Sequence, residues 1–387
     1  MRRRPRVLLV SGSAPPVACG VGSYTACLAR ELARSAGVEV GLLTTHHPER
    51  NGNSDEFVGV DLLAPLCDWH PRSFWVASAE IRKWRPDVLH VQWPAQGYNG
   101  ALLTLLVHWS RWWRRCPVVL TLHEHIRSDQ SLCLLMARGA HAVVSVRPNF
   151  PEGFAQGLSR TAAGKPFFYI PNAASVPQVG ATAEDVAILR SELGVSNEKR
   201  LVIYFGLLYP GRGVDQLFQI ANPTRHHIVI IGGAIPQARD YYREICDLAN
   251  SPAWSGSCTF AGYLSERAAA TAMACADAVV LPFRLGGGIW NTSIHAARLQ
   301  GTFVLTTSVS ETGLDAHRNV YFAEPDNIEE MREALTRYAG RRQPGSATDV
   351  PRWAGIAQRH RELYCLLPAR SSAGLAAAQA PRRGGML

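Results

Sequence analysis

Short apolar runs alternate with helical stretches along most of the chain. Residues 6–10, 38–44, 88–91, 118–122 and 142–146 are brief and mostly β-branched, as expected for strands covered on both faces. Helical periodicity fills the intervals at residues 22–36, 74–83, 100–114 and 131–138. Repeated strand, helix, strand units imply a mostly parallel, doubly wound sheet. The pattern restarts at residues 167–170, which lead into a polar stretch ending near Arg200. Strands are then expected at 201–205, 227–231, 258–260, 278–281 and 303–306, and helices at 213–220, 235–248, 265–274 and 291–300.

The expected fold class is therefore α/β, with two doubly wound, Rossmann-like parallel-sheet domains at residues 1–172 and 173–350, facing each other across a cleft. Ligands collect at the carboxyl ends of such strands, so the loops after strands carry the most information. A last helix at residues 351–366 is expected to return toward the first domain. Residues 367–387, rich in Ala, Gly, Pro and Arg, have the composition of a disordered tail. A length of 387 residues suits two domains, and 47% hydrophobic against 18% charged residues is a globular profile.

Nine scattered cysteines without a C-x-x-C pair fit a reduced cytoplasmic setting and give neither a zinc site nor a disulfide framework. The basic N-terminus precedes only four apolar residues before Ser11, too few for a signal peptide core. No run approaches the roughly 20 apolar residues that span a bilayer. The expected location is cytoplasmic, with peripheral contact at the inner membrane face as an open reading. That reading rests on residues 100–114 as a helix: Thr104, His108, Arg111 and Arg115 form a polar, basic side, while Leu102, Leu105, Leu106, Trp109, Trp112 and Trp113 cover the remainder. The competing reading is a helix packed on its own domain with an arginine edge. A formal charge of +9 favours anionic partners, but no nucleic-acid module accompanies it, so nucleic acid is not expected.

One segment has the form of an anion site. Gly286, Gly287 and Gly288 follow a strand end and allow close backbone approach, and Asn291, Thr292 or Ser293 can cap the next helix, whose first N–H groups favour phosphate. Dinucleotide binding is excluded in the first domain. The first strand is followed by Ser-Gly-Ser-Ala-Pro-Pro rather than G-x-G-x-x-G, and the second ends in Thr44-Thr45-His46 where an acid would hold a ribose. No P-loop signature is present.

Several loops together resemble glycosyltransferases of the GT-B fold, particularly the retaining group classed as family 4. Cys19-Gly-Val-Gly-Ser-Tyr-Thr25 is similar to that family's first glycine loop, and residues 86–92 and 117–124 to its two middle strands. Tyr169-Ile-Pro-Asn172 resembles its crossing between domains. Tyr204-Phe-Gly-Leu-Leu-Tyr-Pro-Gly-Arg-Gly-Val-Asp215, Ile230-Ile-Gly-Gly233, Ala261-Gly-Tyr-Leu264 and residues 276–282 follow in the family's order. The resemblance implies a retaining, metal-independent hexosyltransferase that moves a sugar from a nucleotide diphosphate sugar to a hydroxyl acceptor: a saccharide, a lipid-linked acceptor or a small molecule. No cofactor is implied. Catalytic roles fall on His123 and Arg212, the latter as a clamp on the leaving diphosphate. Donor binding is implied for Gly20, Gly22, Gly206, Arg212, Gly287, Gly288, Ile289, Trp290, Asn291, Thr292 and Ser293. Tyr24, Gln92 and Glu124 fall on the acceptor side, and Glu124 and Asp129 are both candidates for a base.

Two departures from the family pattern stand out. Leu207 occupies the place of an arginine, for which Arg284 is a candidate substitute. The glutamates of the E-x7-E motif, counted back from Gly301, fall on Gly288 and Ala296. Glu311, after the following strand, reads as an acid at a helix N-terminus. The lost glutamates leave open a degenerate family member that binds or partners without transfer. An epimerase on the same fold would need several cleft carboxylates, which these loops lack.

Overall fold

The computed structural model describes residues 4–35, 37–50, 57–112, 116–196, 198–343 and 349–367. The expected tail beyond 367, and Trp113, Arg114 and Arg115 of the basic helix end, lie outside the described residues. The chain forms two units, one comprising residues up to Pro171 together with those from Trp353 onward, the other Asn172–Arg352.

The first unit runs β1 (Arg6–Val10), α1 (Gly20–Arg34), β2 (Glu39–Thr45), β3 (Val60–Leu66), α2 (Phe74–Trp84), β4 (Val88–Trp93), α3 (Gly100–Trp112), β5 (Val118–Leu122), α4 (Gln130–Gly139), β6 (Ala142–Ser145), α5 (Glu152–Thr161) and β7 (Phe167–Tyr169). Its seven strands are parallel, in the order β3-β2-β1-β4-β5-β6-β7. The central strands β4, β5 and β6 are buried at every position. Helices α2 to α4 pack on one another and close one face of the sheet through Ala77, Ile81, Leu102, Leu106 and Met136. Strand β3 was not expected. Asp61 and Pro65 break its apolar run, and it lies at the sheet edge, where a residue without an N–H is tolerated.

The second unit runs α6 (Ala183–Glu192), β8 (Arg200–Phe205), α7 (Leu217–Ile220), β9 (His226–Ile231), α8 (Arg239–Asn250), β10 (Cys258–Gly262), α9 (Glu266–Cys275), β11 (Ala278–Leu281), α10 (Thr292–Leu299), β12 (Val304–Thr307), β13 (Gly313–Asp315), β14 (Val320–Ala323) and α11 (Ile328–Tyr338). Its sheet order is β10-β9-β8-β11-β12-β14-β13, parallel except for the β13 and β14 pair. The last helix, α12 (Trp353–Leu366), belongs to the first unit and packs along α1.

Three expectations need correction. The first helix starts at Gly20 rather than 22, because the Cys19 Sγ accepts the Gly22 N–H at 3.4 Å, so both glycines sit in its first turn. The helix expected at 213–220 shrinks to α7, since Gly213 takes the left-handed conformation (φ 63°) and short 3₁₀ turns precede it. Glu311 heads no helix. The chain enters β13 instead, and Glu311 pairs with Arg318 at 2.9 Å.

Arg298, on α10, is almost wholly buried and paired with Asp349, with its Nε donating to the Arg318 carbonyl at 3.2 Å. Removing one partner of such a pair strands a charge in the interior. With the Asp349 side chain 41% exposed and Arg298 still bonded to the Arg318 carbonyl, Asp349→Ala should lower the stability of this unit by about 1–2 kcal/mol in urea unfolding. A change within error of zero would show that water reaches Arg298 freely.

Candidate active-site residues

In the first unit the carboxyl ends of β1, β4 and β5 gather Gly20, Gly22, Tyr24, Gln92, His123 and Glu124. His123 is the first residue after β5, and its N–H donates to the Trp93 carbonyl at 2.7 Å. Its ring is nearly buried, and Tyr24 stands edge-on to it at 4.6 Å, with Trp353 of α12 on the other side of Tyr24 at 5.1 Å. Tyr24 and Gln92 are buried, so they touch His123 rather than solvent, whereas Glu124 is exposed.

A chain of polar contacts fixes the proton on His123. The Gln92 Oε1 can only accept, so the His123 Nε2–H donates to it at 3.0 Å and Nδ1 keeps a lone pair. The Gln92 Nε2 donates in turn to the His90 Nε2 at 3.0 Å, and the Thr121 hydroxyl donates to the same nitrogen at 2.6 Å. His90 therefore carries its proton on Nδ1 and donates to the Tyr364 hydroxyl at 2.7 Å. His360, ring to ring with His90 at 5.4 Å, donates from Nδ1 to the Ile356 carbonyl at 2.9 Å, and its Nε2 is buried without a hydrogen-bond partner. His90, His360 and Tyr364 were missed in the sequence. His90 and Tyr364 lie 274 positions apart, and no local pattern links a strand histidine to a terminal helix.

Burial, reinforced by the neighbouring His360, lowers the His123 imidazole to about 3, and burial lowers His360 to about 4. Burial, with His360 and His123 nearby, also holds His90 well below the ordinary value. His123 is thus a neutral donor and acceptor near pH 7, not a cation.

The two glycines of α1 differ. A Cβ on Gly22 would come within 2.9 Å of the Ser13 carbonyl oxygen, so the fold itself requires glycine there. A Cβ on Gly20 would meet no atom within 4 Å. Gly20 is exposed, and the space beside it at the start of α1 is open.

In the second unit the ends of β8 and β11 gather Gly206, Arg212 and residues 287–293. Arg212 is half-buried, its guanidinium 5.2 Å from the Tyr209 ring centre and 5.0 Å from that of Phe283. The Tyr204 hydroxyl donates to the Leu207 carbonyl at 2.7 Å; burial raises that phenol and the Arg212 charge pulls it the other way. A Cβ on Gly206 would lie 3.4 Å from the Tyr204 hydroxyl and 3.6 Å from the Ser293 hydroxyl, which places Ser293 beside the Gly206 turn. The Gly288 carbonyl accepts from the Asn291 Nδ2 at 3.1 Å, and that side chain makes no cap bond, so it does not consume the first amides of α10. The Asn172 Nδ2 donates to the Trp290 carbonyl at 2.7 Å and fixes the far end of the loop, where Ile289, Trp290, Asn291, Thr292 and Ser293 are half-buried.

The glycine loop is explained mostly from within. A Cβ on Gly287 would strike the Phe283 ring at 2.2 Å, and one on Gly288 the Trp290 ring at 2.1 Å. Ala296, the second position of the absent glutamate pair, is a wholly buried core residue. Arg284 does not substitute as a free cation: it is paired with Asp215 and, at 3.1 Å, with Asp326. Tyr241 and Gln216 complete this network, the Tyr241 hydroxyl donating to the Asp215 Oδ1 at 2.6 Å and the Gln216 amide to Asp326. It ties the loop after β8 to the loop after β11. Among the described residues no group of three or more His, Cys, Asp or Glu could hold a metal ion.

The buried neutral histidines make stability depend on pH. Their folded values lie below the ordinary imidazole value of about 6.5, so the unfolded chain binds more protons as the pH falls. Their contribution is complete above about 6.5 and is lost toward the folded values near 4 and 3, at up to about 1.4 kcal/mol per histidine per pH unit. The urea midpoint should fall clearly between about pH 7.5 and about pH 5, while the ¹⁵N shifts of His123 stay those of the neutral Nε2–H form. A His123 signal titrating near the ordinary imidazole value would contradict its burial behind Gln92.

Residues 18–172 match the model of Glycosyltransferase Family 4. HepE of Anabaena, solved in complex with UDP and glucose, is similar over 94% of this chain and 100% of its own, at 16% identity and a TM-score of 0.72. Sucrose-phosphate synthase of Thermosynechococcus elongatus is similar over 97% of this chain and 100% of its own, at 16% identity and a TM-score of 0.71. The catalytic domain of starch synthase IV from Arabidopsis thaliana, bound to ADP and acarbose, covers 94% of this chain and 99% of its own at 13% identity and a TM-score of 0.67. No curated protein matches by sequence. The two seven-stranded, mostly parallel sheets and the likeness to these structures give the chain the GT-B fold, and its residues 18–172 are similar to Glycosyltransferase Family 4.

Proposed function

We propose that this protein is a glycosyltransferase that moves a sugar from a nucleotide diphosphate sugar to a hydroxyl acceptor with retention of configuration. The observation that carries this reading is the convergence of Gly206, Arg212 and Ser293 at the strand ends of the second unit. As the bond between the anomeric carbon and the diphosphate breaks, negative charge builds on the leaving phosphate. A guanidinium held between two aromatic rings and the first amides of α10 are suited to receive it, because they need not reorganise when the charge appears. The same groups supply the stabilisation a divalent ion would give, so the proposed reaction uses neither metal nor cofactor.

On the first unit, neutral His123 is suited to bond a hydroxyl of the transferring sugar through Nδ1, with Gln92 and Tyr24 holding the ring. The open space at Gly20 admits a ligand to the first turn of α1. Exposed Glu124 and half-buried Asp129 remain the candidate bases for the acceptor. The family match and the UDP and ADP complexes of proteins with this fold support a nucleoside diphosphate as the shared part of the donor.

A panel of nucleoside diphosphates tests this. The one that binds the folded state should raise the melting temperature with its concentration. Arg212→Ala should abolish that rise and lower turnover on the order of a hundredfold. The melting temperature of the free protein should fall only modestly, since each of the two cation–π contacts of this half-buried guanidinium is worth about 1 kcal/mol. The anomeric proton coupling of the product reads retention directly. Flat responses to every nucleotide would overturn the transferase reading in favour of a binding or partner subunit.

A further inference from the structure

Helices α2, α3 and α4 turn apolar residues outward as well as inward. Leu102 and Leu106 enter the core of the first unit, whereas Leu105 is 48% exposed and Trp112 is 71% exposed on the same helix. Trp75 on α2 is 72% exposed and Leu135 on α4 is 43% exposed. These residues form one tract. Leu105, Trp109 and Trp112 follow at helical spacing, and Phe74 bridges to α2, with its ring 5.9 Å from Trp109 and 5.4 Å from Trp75. Isolated exposed hydrophobes are ordinary, but two exposed tryptophans on adjoining helices are not.

The charge around this tract has one sign. Glu80, half-buried, is the sole acid of the three helices, against Arg82, Lys83, Arg111 and Arg138. Arg82, Lys83 and Arg138 are exposed. The Arg111 guanidinium lies 5.2 Å from the Trp112 ring centre and donates to the Gly139 and Ala140 carbonyls at 3.2 and 3.1 Å. Lys165 adds a cation at the end of α4, donating to the Ala137 carbonyl at 3.0 Å. Burial, and then the charges of Arg111 and Arg138, lower its ammonium, a sign that the cations stand close together. Two acids flank the helices: half-buried Asp129 directly precedes α4, and Asp68, ahead of α2, is engaged by Arg72 and Ser73 at 2.6 and 2.7 Å.

We infer that the outer face of α2, α3 and α4 rests on an anionic lipid bilayer, with Trp75, Leu105 and Trp112 entering the headgroup boundary and Arg82, Lys83, Arg111 and Arg138 against the lipid phosphates. Tryptophan at the interface beside arginine and lysine is what such a surface selects, each basic residue adding attraction that salt screens. A protein partner of ordinary character would be met by mixed charge; this face offers almost none. No helix among the described residues is long and apolar enough to cross a membrane, so the contact is peripheral. The inference is independent of the proposed donor residues, and its test uses no nucleotide.

The full chain is sedimented with vesicles of phosphatidylcholine alone and of phosphatidylcholine with a third phosphatidylglycerol. Binding to the anionic vesicles, weakened by salt and accompanied by a blue shift of tryptophan emission, is expected. Trp75→Ser combined with Trp112→Ser should lower the partition coefficient on the order of tenfold or more, with an unchanged melting temperature because both residues are exposed. Should that variant fold poorly, Arg82→Gln with Lys83→Gln provides a second reading and should remove much of the preference for anionic lipid. Failure of the wild type to bind either vesicle would overturn the inference. So would full binding by both variants, which would place the attraction elsewhere in this basic chain. A concentration-dependent dimer in light scattering that the tryptophan variant abolishes would assign the face to a second copy instead.

Discussion

Backbone lying directly on backbone at the carboxyl edge of the second sheet is the constraint from which the placement of Gly206, Arg212 and Ser293 follows. The Gly206 carbonyl oxygen stands 2.0 Å from where a Gly232 side chain would begin, and the Pro282 carbonyl oxygen 2.0 Å from where one on Gly213 would begin. Both glycines have positive φ, 129° and 63°. No side chain fits at either point, so the loops after β8, β9 and β11 close into one seam. Hydrogen bonds stitch it: the Leu208 N–H donates to the Gly233 carbonyl at 3.0 Å and the Arg284 N–H to the Gly211 carbonyl at 3.2 Å. The seam brings Phe283 under Arg212, and the Asp215, Arg284 and Asp326 pairs lock it from the side.

The first unit solves a different problem. Its candidate residue is a histidine, whose use depends on which nitrogen holds the proton. Buried side chains from β4, β5 and α12 settle that through Gln92, His90, Thr121 and Tyr364. A helix contributed by the end of the chain thus completes the support of a residue near its beginning. The two units carry complementary properties: a fixed cation in one and a neutral, oriented imidazole in the other.

Most of the parallel strands, though not their order, could be read from sequence because both faces are covered, which leaves uninterrupted apolar runs such as Val118–Leu122 and Ala278–Leu281. Edge strands lack that requirement, and β3, with Asp61 and Pro65, and the short β13 passed unnoticed, as did the four-residue interior strand β14. The candidate residues Gly206, Arg212 and His123 were chosen from loop motifs at strand ends, where a local pattern exists to be read. Their supports were not. Gly287 and Gly288 looked like openings for a ligand, yet Phe283 and Trp290 account for their missing side chains. Arg284 looked like a spare cation and is held by two aspartates from elsewhere in the chain. Contacts of that kind depend on tertiary placement, which spacing along the chain does not encode.

The most direct test of the account is a crystal structure of the protein grown with a nucleoside diphosphate. The diphosphate should lie within hydrogen-bond reach of the Arg212 guanidinium and the first amides of α10, beside Gly206 and Ser293. A diphosphate bound elsewhere, with Arg212 still packed on Tyr209 and Phe283 and touching no phosphate, would contradict it.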